Sequence, residues 1–261
     1  MIVARDLRVT RGRQEVVHGV SLEVPAGSWL SVVGPNGAGK SSLLLAIAGL
    51  LPATGEVTLE GRALRDLSVR ARARMVALVP QQPVVPESLT VAEYVLLGRT
   101  PHLSLFGSEA GRDHEQAGRV LATVDLAWAA DRLVATLSGG EFHRAVVGRA
   151  LAQEARVLVL DEPTTGLDLG HQLQVLELVD QLRRTEGITV VSAMHDLTLA
   201  ARYSDRIALL VDGQLVADGS PEAVLRADVL ERHYGVAVHV MRGPYGELIV
   251  VPAETPASVR P

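Results

Sequence analysis

Residues 28–42 read SWLSVVGPNGAGKSS, an apolar run that stops at a glycine-rich loop and passes directly into a helix-forming stretch. No other part of the chain restricts the fold as strongly. The apolar residues 28–34 predict a short buried strand, and GKSSLLLAIAGLL (39–51) predicts the helix that follows it. A strand joined to a helix by so tight a loop has to lie in a sheet with the helix packed on its face. The same alternation recurs along the chain. MVALVP (75–80) and ARVLVLDEP (155–163) predict strands that each stop at a proline, and GITVVSAMHD (187–196) a further buried strand. LGHQLQVLELVDQLRR (169–184) predicts a helix with Leu169, Leu173, Leu176 and Val179 on one face. The expected class is α/β with a mainly parallel sheet.

The loop itself carries chemistry. Gly34, Pro35, Asn36, Gly37, Ala38, Gly39, Lys40 and Ser41 satisfy the pattern G-x-x-x-x-G-K-[ST] in the strand–loop–helix context that the pattern requires. Glycines let successive backbone N–H groups curl around phosphate oxygens, and the helix N-terminus adds positive potential. Lys40 is expected to reach the outer phosphates, the Ser41 hydroxyl to ligate Mg²⁺, and Ser42 to bond an inner phosphate. VLVLDE (157–162) supplies the complementary half: Asp161 at a strand's carboxyl end to hold Mg²⁺, and Glu162 to polarise an attacking water. The chain is therefore expected to bind a nucleoside triphosphate with Mg²⁺ and to hydrolyse it.

Segment 87–155 differs from its surroundings. Its periodicity is helical without a convincing strand, so an inserted helical subdomain is expected there. The early stretches IVARDLRVT, GVSLEVPAG and GEVTLEG alternate or are β-branched, predicting a small antiparallel sheet beside the main one. The predicted ATPase domain is 1–236, with its core in 1–86 and 156–236 and the helical subdomain in 87–155; 237–261 forms a C-terminal extension with a hairpin and a frayed end at 254–261.

Composition excludes several other classes. The formal net charge of −5 argues against a nucleic-acid footprint, which would show a basic stripe. Without a cysteine, disulfide frameworks and thiol chemistry are ruled out. The opening MIVARDLRVT lacks a signal-peptide apolar run, and no stretch approaches the ~20 apolar residues needed to span a bilayer. A soluble protein is expected, whose membrane role would require a partner.

LSGGE (137–141) poses a separate problem. Ser138 and Glu141 form a capping box, each side chain bonding a free backbone N–H at a helix start. That accounts for neither Gly139 nor Gly140, since glycine is a poor residue in a first turn. Something is expected to approach the backbone there.

Taken in order, GPNGAGKSS, LVPQQP, LSGGE, VLVLDEPTTGLD and MHD resemble the motifs of the ATP-binding cassette (ABC) ATPases over roughly residues 1–235. The resemblance implies a P-loop NTPase with a RecA-like core, a small antiparallel β-subdomain and an inserted helical subdomain. It also implies a homodimer in which two chains sandwich two ATP molecules head to tail. Ser138, Gly139, Gly140 and Glu141 would then face the nucleotide held by the other chain. Gln81 matches the glutamine that senses Mg²⁺ and the γ-phosphate, with Gln82 as the register alternative. His195 matches the switch histidine that orients water with Glu162, and Asp168 the aspartate that couples the two sites. Two positions depart from the family pattern. Arg11, in VTRGRQEVV, stands where an aromatic residue ordinarily stacks on adenine, and a guanidinium plane can stack likewise. His143 stands where glutamine is commoner and is expected to contact the helix surroundings.

A single cassette without a membrane span resembles the separate ATPase subunit of a transporter, bound to two permease subunits at the cytoplasmic face of the inner membrane. A periplasmic or lipoprotein substrate-binding protein would take part indirectly. TVAEYVLLGRTPHLSLFG (90–107), LDLGHQLQVLELV (167–179) and LERHYGVAVHV (230–240) resemble ATPases of importers for ferric siderophores, haem and cobalamin. Because these stretches lie away from the chemistry, they are expected to concern the permease. The alternatives are an exporter ATPase, an amino acid or metal importer, or a non-transport family member. DNA-repair and chromosome-organising members need a long coiled coil between phosphate loop and signature, and the interval from Lys40 to Ser138 has no heptads.

Overall fold

The computed structural model describes residues 1–84, 87–103, 111–244 and 246–253. The chain opens with β1 (Ile2–Arg11), β2 (Gln14–Val24), β3 (Trp29–Val33), α1 (Lys40–Ile47), β4 (Thr54–Leu59), β5 (Arg62–Ala63), α2 (Val69–Ala73) and β6 (Val76–Val79). Three helices follow: α3 (Val91–Leu96), α4 (Gly111–Thr123) and α5 (Gly139–Ala152). The chain then returns through β7 (Val157–Asp161), α6 (Leu169–Glu186), β8 (Thr189–Ala193), α7 (Leu197–Tyr203), β9 (Arg206–Val211) and β10 (Gln214–Gly219). It closes with α8 (Pro221–Val224), α9 (Ala227–Tyr234), β11 (Val238–Arg242) and β12 (Leu248–Pro252).

The main sheet has the order β10-β9-β3-β8-β7-β6, parallel except for the β10–β9 pair. β3, β7 and β8 are buried at every residue, which is why they read as continuous apolar runs rather than alternating ones. Both faces are covered, and β3 shows how. Trp29 and Val33 enter a core with α3, α5 and α6, while Leu30 and Val32 enter a second core with α1 and the antiparallel sheet. That antiparallel sheet has the order β2-β1-β4-β5. One of its faces meets solvent, so β1 alternates, burying Leu7 and Val9 and exposing Arg8.

This topology places the carboxyl ends of β3, β6, β7 and β8 along one edge. Ligands of open α/β sheets bind at such an edge. The loop at 34–39 leaves β3 there, Gln81 follows β6, Asp161 closes β7, and His195 follows β8.

Several sequence expectations need adjustment. The predicted helix 39–51 ends at Ile47, because Gly49 is left-handed (φ 68) and the chain turns there. In α6 the buried stripe is Val175, Leu176, Val179 and Leu182, while Leu169 is exposed in the first turn. Between residues 87 and 155 the described residues hold helices and one isolated bridge, Thr90–Leu133. The expectation for 254–261 lies outside the described residues.

Candidate functional site: a phosphate loop and a detached signature helix

The phosphate loop is shaped by its surroundings. Gly39 sits at φ 98 directly before α1, and a Cβ there would collide with the Val16 carbonyl. Glycine alone allows β2 to come this close. The β9–β10 turn braces the loop from behind, Gly213 N–H donating to the Ala38 carbonyl at 3.0 Å. Lys40 is buried (5% exposed), and its ammonium donates to the Gly34 and Pro35 carbonyls at 2.9 and 3.1 Å. Burial lowers its pKa from the ordinary lysine value, while the charges of Glu162 and Asp161 pull it back up.

The acidic pair stands opposite. Ser41 Oγ donates to Asp161 Oδ1 at 2.8 Å. Burial raises the Asp161 pKa above the usual carboxylate range, against the Ser41 bond, which favours the charged form. The two oxygen donors side by side are the hard ligands that Mg²⁺ takes alongside nucleotide phosphates. Among the described residues no group of three or more His, Cys, Asp or Glu could hold a metal alone. The donor set thus fits a cation that arrives with a nucleotide.

Glu162 is the hub. It is buried yet has φ 51, a strained backbone for a non-glycine residue and a hallmark of functional positions. His195 Nε2 meets its Oε1, Gln81 Nε2 donates to Oε2, and Thr165 Oγ1 donates to Oε2 at 3.2 Å. Of the two register candidates, Gln81 is the one in the site and Gln82 is exposed. A cavity of about 410 Å³ joins Val16, residues 36–42, Gln81, Glu162 and His195.

Arg11 is not brought into this group. It is exposed at the β1–β2 turn, and the β2 residue lining the cavity is Val16. The signature residues are also elsewhere. Ser138 and Glu141 line a separate cavity of about 520 Å³ with Arg144 and His171. The capping box has formed: Ser138 Oγ accepts from Glu141 N–H at 3.4 Å, and Glu141 Oε2 accepts from Ser138 N–H at 2.7 Å. These bonds hold the Glu141 carboxyl below the usual range. The two glycines have different surroundings. Gly139 faces open space, whereas a Cβ on Gly140 would enter the ring of His171. Asp168 caps α6, accepting from His171 N–H at 2.9 Å and His171 Nδ1–H at 2.8 Å; these bonds lower its pKa. His143 Nδ1–H donates to the Gly139 carbonyl at 2.9 Å, within its own helix.

The sequence reading missed Val16, Thr165, His171 and Tyr234. Burial pushes the Tyr234 phenol up to about 12, while the Gly34 amide donates to it, so α9 reaches the start of the phosphate loop. All four sit inside stretches already singled out, but no local pattern marks Val16 or Tyr234 as part of the site. Within TVAEYVLLGRTPHLSLFG, residues 99–102 make their bonds inside the chain. Arg99 is buried (2% exposed), pairing with Asp113 at 3.0 Å and Glu154 and donating to the Ala152 carbonyl at 2.7 Å. The Pro101 carbonyl accepts from Arg70 of α2 and from Arg74 directly after it, and His102 Nε2 donates to the Gln153 carbonyl. These bonds tie the helical segment to itself and to the core.

A parallel sheet with a glycine loop, a lysine, and a carboxylate pair at its carboxyl edge defines a phosphate-loop nucleotide-binding protein. The comparisons narrow this. The ABC transporter family model matches residues 17–165. The chain is 37% identical to the ferric enterobactin transport ATP-binding protein FepC of Escherichia coli (strain K12), over 95% of this chain and 92% of that one. It is 41% identical to the hemin import ATP-binding protein HmuV of Gloeobacter violaceus, over 100% and 97%. Among solved structures, an inward-facing ABC transporter assigned to the metal-chelate type superposes with a TM-score of 0.85 at 25% identity, covering 97% of each chain. A dimeric post-hydrolysis cassette, MJ0796 with ADP and Pi, superposes at 0.74 with 27% identity, over 85% of this chain and 99% of that one. The chain belongs to the ABC transporter family and is one of its ATP-binding, ATP-hydrolysing cassettes.

Proposed function

We propose that this chain is the ATPase subunit of an importer for an iron chelate, haem or cobalamin, and that two copies close around two ATP molecules beneath two permease subunits. The observation that carries this reading is the separation of the two halves. The phosphate-loop cavity is lined by no residue of 138–141, and Ser138 and Glu141 open onto a different cavity. A signature that cannot serve its own loop is completed by a second copy.

In this reading the loop amides of residues 34–39 with Lys40, Ser41 and Ser42 hold the phosphates. Lys40 leaves the Gly34 and Pro35 carbonyls for the outer phosphates, so the buried cation already stands at the site. Ser41, Asp161 and Gln81 would hold Mg²⁺, which supplies charge neutralisation at the phosphates when bound. Glu162 accepts a proton from the attacking water and His195 orients it, which requires both His195 and Gln81 to release the Glu162 carboxylate. Ser138 and the N–H groups of Gly139 and Gly140 meet the partner's terminal phosphate with the dipole of α5 behind them. Asp168 couples the two sites. Val16 offers the base an apolar edge. The division into an ATPase domain, 1–236, and an extension from 237 goes with this reading.

An apolar groove of about 350 Å³ supports the membrane partner. Exposed Leu50, Val69 and Leu97 line it, and Pro80, directly before Gln81, forms part of its wall. Among the described residues no helix is long and apolar enough to cross a membrane, so attachment at the cytoplasmic face of the inner membrane rests on that groove. The homologues named for ferric enterobactin and hemin transport support the cargo class.

The test is copurification and transport. The chain coexpressed with its permease should sediment with membranes and drive ATP-dependent uptake of one of the three cargo types into vesicles. Uptake of none of them, with a permease bound, would remove the cargo assignment. The Glu162→Gln form should become a dimer in Mg-ATP by light scattering; a monomer at saturating nucleotide would remove the sandwich.

A further inference from the structure

The second glycine of LSGGE has a neighbour within its own chain. On the far side of Gly140 lies the His171 ring, and a Cβ added to Gly140 would fall 2.6 Å from its Cγ, well inside contact distance. Gly139 has nothing within 4 Å. The two glycines therefore do different things. Gly139 leaves room outward, and Gly140 makes room inward.

His171 is fixed from its other side. Its Nδ1 lies 2.8 Å from Asp168 Oδ2, and since a carboxylate only accepts, Nδ1 carries the proton. The His171 backbone N–H donates to Asp168 Oδ1 at 2.9 Å, so both carboxylate oxygens end on one residue. One imidazole thus touches the aspartate that follows the β7 acidic pair and the helix that begins at the signature. A bare helix cap would need only the backbone bond; the ring contact with α5 is additional.

We propose that His171 is a positioning residue that locks the Asp168 loop to the signature helix within one chain, and that Gly140 lacks a side chain to seat this imidazole rather than to admit nucleotide. The proposal rests on the two-copy reading above. Asp168 follows the acidic residues of the chain's own nucleotide site, and the signature serves the other site. His171 thus makes the two composite sites sense each other's geometry through one rigid contact.

The experiment is a double-mutant cycle on the full chain, with His171→Ala, Gly140→Ala and the pair together. His171→Ala should leave ATP binding to the isolated monomer within about twofold, lower kcat about tenfold, and bring the Hill coefficient toward one, a loss in the range usual for coupled sites. Gly140→Ala alone should lose more, because its methyl evicts the ring. The double variant should be no worse than His171→Ala, since the methyl then occupies the vacated space. A wild-type Hill coefficient and kcat in His171→Ala would overturn the proposal, as would a Gly140→Ala loss that persists in full without the imidazole. If His171→Ala fails to bind ATP as a monomer, His171→Phe decides: it keeps the ring against Gly140 and removes only the Nδ1–H donor, and undiminished cooperativity there overturns the lock. Dimerisation of Glu162→Gln in Mg-ATP separates the two readings. Normal dimers with an additive cycle sink the His171 lock alone, and absent dimers sink both.

Discussion

The carboxyl edge of the main sheet and the signature corner of α5 differ in how their polar groups are satisfied. At the edge the three buried charged groups are already paired: Lys40 with loop carbonyls, Asp161 with Ser41, Glu162 with Gln81 and the exposed His195 and Thr165. At the corner Ser138, Gly139 and Glu141 are accessible or partly so, and their bonds are those of a helix cap and of His143 with the Gly139 carbonyl in the same helix. A closed network costs free energy to open, because each buried charge that loses its partner pays desolvation. An exposed cap costs almost nothing to approach. The chain thus keeps the charges of the edge in closed pairs and leaves the corner open to solvent.

The contrast sets an order of effects. Glu162→Gln removes the group on which the closed network converges, and steady-state ATP hydrolysis should fall by about 10² to 10⁴, the usual contribution of a positioned base. Turnover near wild type would place the base elsewhere. Arg99→Ala removes the buried cation beneath the helical segment and should lower unfolding stability by about 3 kcal/mol, the cost of breaking a buried pair, read by denaturant titration. A change below 1 kcal/mol would mean that Asp113 and Glu154 repack. Lys40→Ala should weaken nucleotide binding to the monomer by about 2 kcal/mol, the worth of charge-assisted bonds to phosphate, measured by calorimetry. In contrast, Ser138→Arg should leave that monomer affinity unchanged while abolishing cooperative hydrolysis, because it alters only the open corner. Equal loss of monomer affinity would join the two regions in one site. The smallest effect belongs to Tyr234→Phe: loss of the hydroxyl that receives the Gly34 amide should cost about 1 kcal/mol in stability.

Much of this was legible before any coordinates. The glycine loop, the carboxylate pair and the signature are contiguous peptides whose local geometry is the chemistry, so the order of GPNGAGKSS, LSGGE and VLVLDEP already placed Lys40, Ser41, Asp161, Glu162 and Ser138. Strands buried on both faces announced themselves as β7 and β8 because apolar residues dominate them, and the buried Ser192 within β8 is paired with Trp29 Nε1 and Ser31. Where local rules compete, reading became less sure. Gly49 ended α1 before the apolar run did, and Leu169 matched the stripe of α6 in spacing but not in burial.

The sequence by itself determined where the glycine-rich loop, the signature peptide and the acid-bearing strand lie, because those properties reside in neighbouring residues. Only the tertiary structure decided that Gln81 rather than Gln82 enters the site, that Arg11 stands outside it, that Arg99 is a buried clamp, and that His171 rests on Gly140. Each of these depends on elements far apart in the chain, brought together by burial of apolar surface. Hydrophobic packing is non-directional and fixes partners only once the whole core has formed.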